Sequence, residues 1–385
     1  MGRDLVNRES RVIKHIALFL TFGGSLKIWK ENGILERELR IYEELYDKHG
    51  IFTNIISYGN KEDLIIGKNF KFIKVFTNSL GLHPRIYNLT IPILFYKIFL
   101  KIELIKTNQF YGVHLAKRVS TLFKKPLIIR QGYNYLLHIK KEFGDKSNKF
   151  QEALLYEKKY VNSGNINIFT SERIALEYKR NYKIREKKIH ILPNYVCLKD
   201  WSPSYKIRKK RNTLIFFGRF TEQKNILNLI KAIKGLNKKI IIIGEGKLKN
   251  KICELLKEYK IKYILRNKMT QKEIIPFLRQ SDFFILPSLY EGNPKTLMEM
   301  MIFRIPVIAS KVEGNKEIII HNKTGLLSET NVKSIRLSIQ KFYKLSLKQK
   351  KEITTSAFLF AKKQFDISKV AEKEFRIYTS IFNNA

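Results

Sequence analysis

Glu291 and Glu299 are carboxylates separated by seven residues, in the stretch Ser288-Leu-Tyr-Glu291-Gly292-Asn293-Pro294-Lys295-Thr296-Leu297-Met-Glu299. Asn293 suits a helix N-cap and Pro294 the first helical position. Backbone amides around residues 293–296 would then point out of a helix start, which favours an anion. Glu291 precedes that helix, and Glu299 lies more than a turn inside it.

The flanking elements must hold that arrangement. Asp282–Pro287 (DFFILP) reads as a short buried strand, Lys295–Arg304 as a helix, and Ile305-Pro-Val-Ile-Ala-Ser as the next strand. The two glutamates therefore sit on a strand–loop–helix junction, where open parallel sheets place their ligands. Similar units recur along the chain. A first strand over Val12–Leu20 runs into Gly23-Gly24-Ser25, glycines that let backbone approach a ligand, and a helix follows over about Glu31–Tyr46. Strands are expected at 52–58, 72–76, 102–107, 126–130, 166–170 and 189–192. Helices are expected at Pro84–Leu100, with Pro92 as a kink or break, and at 111–123, 146–161 and 171–182. Further strands follow at 213–217, 239–243 and 261–265, and a helical, basic tail starts at Lys333. Repeated strand–helix units imply α/β architecture with doubly wound parallel sheets.

The Glu291–Glu299 pattern, with Gly292 and Pro294 in place, resembles the retaining, nucleotide-sugar-dependent glycosyltransferases of the GT-B fold, family 4. The likeness is densest from Asn165 to Leu327. It implies two Rossmann-like domains facing a central cleft: an acceptor-side domain over 1–194, a nucleotide-sugar domain over 195–364, and a C-terminal helix over 365–385 crossing back to the first domain. Pro193-Asn194-Tyr195-Val196-Cys197 through Trp201-Ser-Pro203 resembles the family's interdomain linker, with Cys197 where aspartate is usual. Lys206–Arg211 reads as an exposed, basic linker end.

Gly218-Arg219 and Lys224-Asn225 resemble the family's diphosphate clamp. Preorganised cations at a departing diphosphate lower the barrier without requiring a metal, arginine as a fork and lysine as a point charge. The resemblance implies Glu291, Arg219 and Lys224 as the catalytic set. It implies donor contacts from Gly23, Gly24, Gly218, Arg219, Lys224, Glu291, Gly292, Asn293, Pro294, Lys295, Thr296, Leu297 and Glu299. Glu291 would hold sugar hydroxyls and Glu299 the ribose. A front-face displacement without a covalent enzyme nucleophile is implied. No Asp-x-Asp pair occurs, so no metal site and no cofactor beyond the nucleotide-sugar co-substrate is expected. Many members carry a histidine at the end of a mid-domain strand. Here Asn108-Gln109 and Arg130-Gln131-Gly132-Tyr133 stand there instead, and His114 and His138 fall in helix-like contexts. Asn108, Arg130 and Tyr133 become acceptor-side candidates. Gly244-Glu245-Gly246 resembles a family turn, and Val312-Glu-Gly314-Asn-Lys-Glu317 and Asn322–Leu327 match its downstream pattern; these read as structural.

The chain has 385 residues and a net charge of +40. From Leu64 to Lys141 fourteen Lys or Arg face one acid, Glu103, around the apolar-aromatic run Ile86–Leu100. Such a mixture suits an anionic membrane surface, and it equally suits a core helix flanked by solvated lysines. Two cysteines, Cys197 and Cys253, form no disulfide framework and fit a reducing compartment. No uncharged apolar run reaches the roughly 18–20 residues of a spanning helix. The expected location is cytoplasmic, peripheral on the inner face of the membrane, with a glycan or lipid-linked acceptor of surface polysaccharide synthesis. Two alternatives stay open. One is a GT-B enzyme with phosphate or a sugar phosphate as acceptor. The other is a non-enzymatic basic binder of nucleic acid or membrane, although no nucleic-acid module is recognisable and no nucleic-acid partner is expected.

Overall fold

The computed structural model describes residues 13–201 and 212–383. The expectations for Val12 and the residues before it, and for Ser202 through the basic run Lys206–Arg211, lie outside them. The chain divides into two compact units. One runs to Pro193 and resumes at Ser368, and the other spans Asn194–Ile367.

The first unit is built on β1 (His15–Phe19), β2 (Phe52–Ile56), β3 (Ile73–Phe76), β4 (Leu104–Thr107), β5 (Leu127–Gln131), β6 (Ile166–Phe169) and β7 (Ile189–Ile191). Their order is β3-β2-β1-β4-β5-β6-β7, with every neighbour parallel. All residues of β4, β5 and β6 are buried, as expected of a parallel sheet covered on both faces. The second unit holds β8 (Thr213–Phe217), β9 (Lys239–Ile243), β10 (Lys262–Arg266), β11 (Phe283–Leu286), β12 (Val307–Ser310) and β13 (Leu326–Ser328). They run in the order β10-β9-β8-β11-β12-β13, also all parallel. The four isoleucines of β9 are buried to 1% exposure or less; stiff β-branched side chains suit a strand packed on both faces. In each sheet the strand order reverses once, between β1 and β4 and between β8 and β11. The carboxyl ends of those pairs are the switch points where this architecture binds ligands.

Several elements differ from the sequence expectation. The helix expected over about Glu31–Tyr46 is two helices, Leu26–Glu31 and Leu35–His49, separated by Gly33 at φ 61°. Pro84–Leu100, expected to kink or break at Pro92, is two helices, Pro84–Leu94 and Tyr96–Lys101; the chain stays helical through Pro92 and parts at Phe95. A separate helix, Tyr135–Phe143, precedes the one at Asn148–Tyr160; the Asn134 side chain caps it by accepting the Leu137 N–H at 2.8 Å.

The last helix, Ile367–Asn383, is fastened to the first sheet by charge. Lys106 of β4 and Glu374 form an ion pair with both side chains 2% exposed, and the Tyr378 hydroxyl donates to Glu374 Oε1 at 2.6 Å. Burial pushes the Lys106 ammonium below its ordinary pKa, against the pull of Glu374. Lys106 and the buried Arg130 are therefore not part of the basic surface counted from sequence.

Candidate active site

The switch point of the second unit is made by two loops, one after β8 and one after β11, hydrogen-bonded to each other. After β8 the chain turns through Gly218 and Arg219 into a single 3-10 turn, Glu222–Lys224. The Leu289 N–H donates to the Gln223 carbonyl at 2.8 Å, and Gln223 Nε2 donates to the Tyr290 carbonyl at 3.0 Å. Asn225, left-handed at φ 54°, gives its side-chain amide to the carbonyls of Pro287 at 3.0 Å and Thr330 at 2.8 Å. Asparagine tolerates that conformation better than most residues do.

This stitching sets Lys224 against Glu291. The Lys224 ammonium lies 2.5 Å from Glu291 Oε1, and the Ser288 hydroxyl donates to the same oxygen at 2.6 Å. The two side chains are 16% and 8% exposed, so the pair is held largely out of water. Oε2 takes no hydrogen bond among the described residues, and it is the oxygen left to accept a ligand hydroxyl. Arg219 is exposed, and its Nη2 reaches Gln223 Oε1 at 3.3 Å. The cation and carboxylate expected to serve different parts of a donor thus start out bonded to each other.

The helix after the loop is Lys295–Ile302. Its N-cap is Pro294, one residue later than expected, and no side chain caps it. The expected cap, Asn293, is used elsewhere. Its Oδ1 accepts the Asn194 N–H at 3.0 Å, and its carbonyl accepts Asn194 Nδ2 at 2.7 Å. Those two bonds, both donated by Asn194, tie the loop to the segment that begins the unit, which is why the Asn293 side-chain oxygen is unavailable for capping. A helix start without a side-chain cap keeps amide donors for an anion. The Lys295 ammonium lies 4.4 Å from the Tyr195 ring centroid. Thr296 is half-buried. Leu297 is fully buried and its N–H bonds the Pro294 carbonyl, so neither its side chain nor its amide is presented to a ligand. Glu299 is buried within the helix.

Residues that the sequence reading took as structural press directly on this loop. A Cβ on Gly314 would lie 2.1 Å from the Gly292 carbonyl oxygen and 2.4 Å from that of Glu291. Asn315 Nδ2 donates to the Ser310 carbonyl at 2.9 Å and to its hydroxyl at 3.1 Å, and that hydroxyl donates to the Ser288 carbonyl at 2.5 Å. Gly244 approaches the other loop equally closely; a Cβ there would meet the Gly218 carbonyl oxygen at 1.9 Å. Ser288, Gln223, Ser310 and Gly314 were not among the sequence-based site residues, and Asn225 was named only within the clamp motif. For Gly314 the sequence signal was the glycine pattern, which does not say what a glycine lies against.

In the first unit Asn108 and Arg130 are brought together at the ends of β4 and β5, both buried, with Arg130 Nη1 donating to the Asn108 carbonyl at 3.4 Å. Tyr133 is half-buried, its phenol pushed up by burial, and its ring stands edge-on to His138 at 5.8 Å. Gly23, at φ 77°, and Gly24 end the β1 turn. The amides of the helix after them are already used: Leu26 and Lys27 N–H both donate to Asp63 at 2.8 Å. His114, set aside from sequence, lies in a polar chain at the same sheet edge. Its Nδ1 is 2.9 Å from the Tyr156 hydroxyl, and its Nε2 is 2.8 Å from Asn88 Nδ2. Asn88 Oδ1 in turn accepts the Tyr58 hydroxyl at 2.5 Å. Burial pushes the imidazole pKa down, towards the neutral ring.

Residues 199–358 match the family described as "Glycosyl transferases group 1". A UDP-Gal:alpha-D-GlcNAc-diphosphoundecaprenol alpha-1,3-galactosyltransferase of Escherichia coli is 30% identical over 165 residues, which is 37% of this chain and 42% of that protein. An uncharacterized glycosyltransferase of Methanocaldococcus jannaschii is 36% identical over 118 residues, 30% of this chain and 34% of the other. The chain thus spans less than half the length of either relative. Among solved structures, a glycosyltransferase from Rickettsia africae superposes with a TM-score of 0.76 at 19% identity, covering 97% of this chain and 100% of that one. The fold is GT-B.

Proposed function

We propose that the protein, whose residues 199–358 match the group 1 glycosyl transferases, moves a sugar from a nucleoside-diphosphate sugar to a glycan or lipid-linked acceptor, with the anomeric configuration retained. The observation that carries the reading is the Lys224–Glu291 pair at the switch point, 2.5 Å apart and stitched in place by Gln223, Asn225 and Ser288. A lysine ammonium has three donors. One engages Glu291 and the others remain for diphosphate oxygens, while Glu291 Oε2 accepts a sugar hydroxyl. Arg219 brings a second, exposed cation from the adjoining turn. The bond broken is that between the anomeric carbon and the diphosphate oxygen. Its electron pair leaves on the diphosphate, where Lys224 and Arg219 stabilise it. The acceptor hydroxyl attacks on the face the diphosphate leaves, and its proton passes to the departing phosphate oxygen. Glu299 holds the ribose, and the leaving group needs no metal.

The E. coli relative's name, with its UDP-sugar donor and diphosphoundecaprenol-linked acceptor, supports this class of donor and acceptor and makes UDP-sugars the first to test. The experiment is proton NMR of the anomeric signal during slow turnover of a panel of nucleotide sugars in EDTA. Release or transfer first seen as the donor's own anomer supports the reading. First appearance of the opposite anomer, or turnover only with added divalent metal, refutes it.

A further inference from the structure

The helices Pro84–Leu94 and Tyr96–Lys101 are apolar on two sides. The inner side, with Tyr87, Ile91 and Phe99, is fully buried in the first unit's core. The outer side carries Ile86, Leu89, Ile93, Tyr96 and Leu100 at intervals of three and four residues, 52%, 58%, 74%, 48% and 61% exposed. That spacing puts Ile86, Leu89 and Ile93 on one face of the first helix and Tyr96 and Leu100 on one face of the second. A stripe of large apolar side chains open to water marks a contact surface rather than chance exposure. Cations border it. Arg85, Lys97 and Lys101 are exposed on the same two helices. Lys124 is exposed and Lys125 half-buried on the neighbouring turn, where Lys125 donates to the Leu100 carbonyl at 3.0 Å. The two helices themselves contain no acid.

We propose that this stripe is where the protein seats on an anionic lipid bilayer, with Ile86, Leu89, Ile93, Tyr96 and Leu100 entering the boundary between headgroups and acyl chains and Arg85, Lys97 and Lys101 meeting the phosphates. Charge decides the occupant. A second copy would bring two bordering rows of cations together on chains that each carry +40, whereas an anionic surface neutralises them. Neither helix is long or apolar enough to cross a membrane, so the contact is lateral, with the apolar side chains only about 5–10 Å below the surface. The inference deepens the lipid-linked acceptor reading, and rests on it for its purpose, because it holds the enzyme at the surface where such an acceptor lies.

The test is sedimentation of the full chain with vesicles of phosphatidylcholine alone and of phosphatidylcholine with phosphatidylglycerol, for the wild type, Leu89→Glu/Ile93→Glu and Lys97→Glu/Lys101→Glu. A further variant, Tyr96→Trp, reports depth by its indole emission. Turnover of nucleotide sugar in solution, without vesicles, is measured beside it for each variant and tests the donor chemistry separately. The wild type is expected to bind only the anionic vesicles. Each lysine-to-glutamate change weakens binding by at least about fivefold, and the paired apolar-to-acid change by at least about tenfold. The indole emission of the Tyr96→Trp variant shifts to the blue on binding, and soluble turnover is unchanged in all variants. Three results would overturn the proposal: no binding to anionic vesicles, binding indifferent to Leu89→Glu/Ile93→Glu, or a wild-type dimer in solution that this double variant dissociates. The last would show that a second copy covers the stripe.

Discussion

Gly314→Ala is the sharpest single perturbation of the candidate site. Gly314 lies outside the left-handed region, so its lack of a side chain matters for space rather than for backbone freedom. A methyl there would sit 2.1 Å from the Gly292 oxygen and 2.4 Å from the Glu291 oxygen. Ordinary carbon–oxygen contact is about 3.3 Å or more, so the loop bearing Glu291 must retreat by about 1 Å. Misplacement of a positioning group by about 1 Å costs on the order of a hundredfold in rate. Stability should fall far less. Overpacking costs about 1–3 kcal/mol, and replacing a helical glycine by alanine returns up to about 1 kcal/mol. Steady-state kinetics with a nucleotide sugar and urea unfolding separate the two effects. The expected result is a loss of about a hundredfold in kcat/KM, a stability loss of about 1–2 kcal/mol, and nucleoside diphosphate affinity changed much less than the rate. Wild-type kcat/KM with unaltered stability would refute the reasoning, since the loop would then absorb the methyl without cost and Gly314 would not set its position.

Other predictions address neighbouring features. Lys224→Met and Glu291→Gln should each destabilise the fold by about 1.5–3 kcal/mol, the worth of a charged hydrogen bond, and a double-mutant cycle by urea unfolding should show coupling above about 1 kcal/mol; additive effects would mean the pair is not formed in solution. Removing Glu374 alone (Glu374→Gln) leaves the buried Lys106 charge without its carboxylate and should cost about 3–5 kcal/mol, whereas Lys106→Met/Glu374→Leu together should cost much less; equal losses would contradict a buried pair. Glu157 is buried on the helix Asn148–Tyr160, and desolvation raises its pKa from 4.5 to about 7. Its folded form binds the proton more tightly than its unfolded form, so this contribution is full below about pH 4.5 and is lost as pH rises to about 7. Glu157→Gln should therefore match the wild type near pH 5 and exceed it by up to about 3 kcal/mol at pH 8, as read by unfolding at both pH values; an equal difference at both would exclude the titration.

The alternating strands and helices were legible because short apolar runs flanked by Gly, Pro and polar turns define them, and β9 coincides with its expected limits at Lys239–Ile243. Helix breaks were harder to read. Phe95, where the Pro84–Leu100 segment parts, carries no breaking signal of its own, and the chain stays helical through Pro92, where the break was expected. The carboxylates of the candidate site were singled out by residue type and spacing, and its cations by the family resemblance. Their pairing could not be read from either, since Lys224 and Glu291 are 67 residues apart and meet only because β8 and β11 are adjacent. The Asn293 cap failed for the same kind of reason: a distant partner, Asn194, competes for its side-chain oxygen. Likewise nothing in a count of Lys and Arg distinguishes the buried Lys106 from its exposed neighbours, because its partner Glu374 lies 268 residues away.

The central claim is that the second unit binds a nucleoside-diphosphate sugar through Arg219, Lys224 and Glu291. A thermal-shift panel of nucleoside diphosphates and nucleotide sugars in EDTA, on wild type, Arg219→Ala and Glu291→Gln, tests it most directly. The account predicts stabilisation by one base class, by a few kcal/mol at about a hundred times the dissociation constant. Arg219→Ala should lose the response to the diphosphate, and Glu291→Gln should lose only the extra response to the attached sugar. Folded wild-type protein that responds to no nucleotide, or responds identically in all three forms, would contradict it.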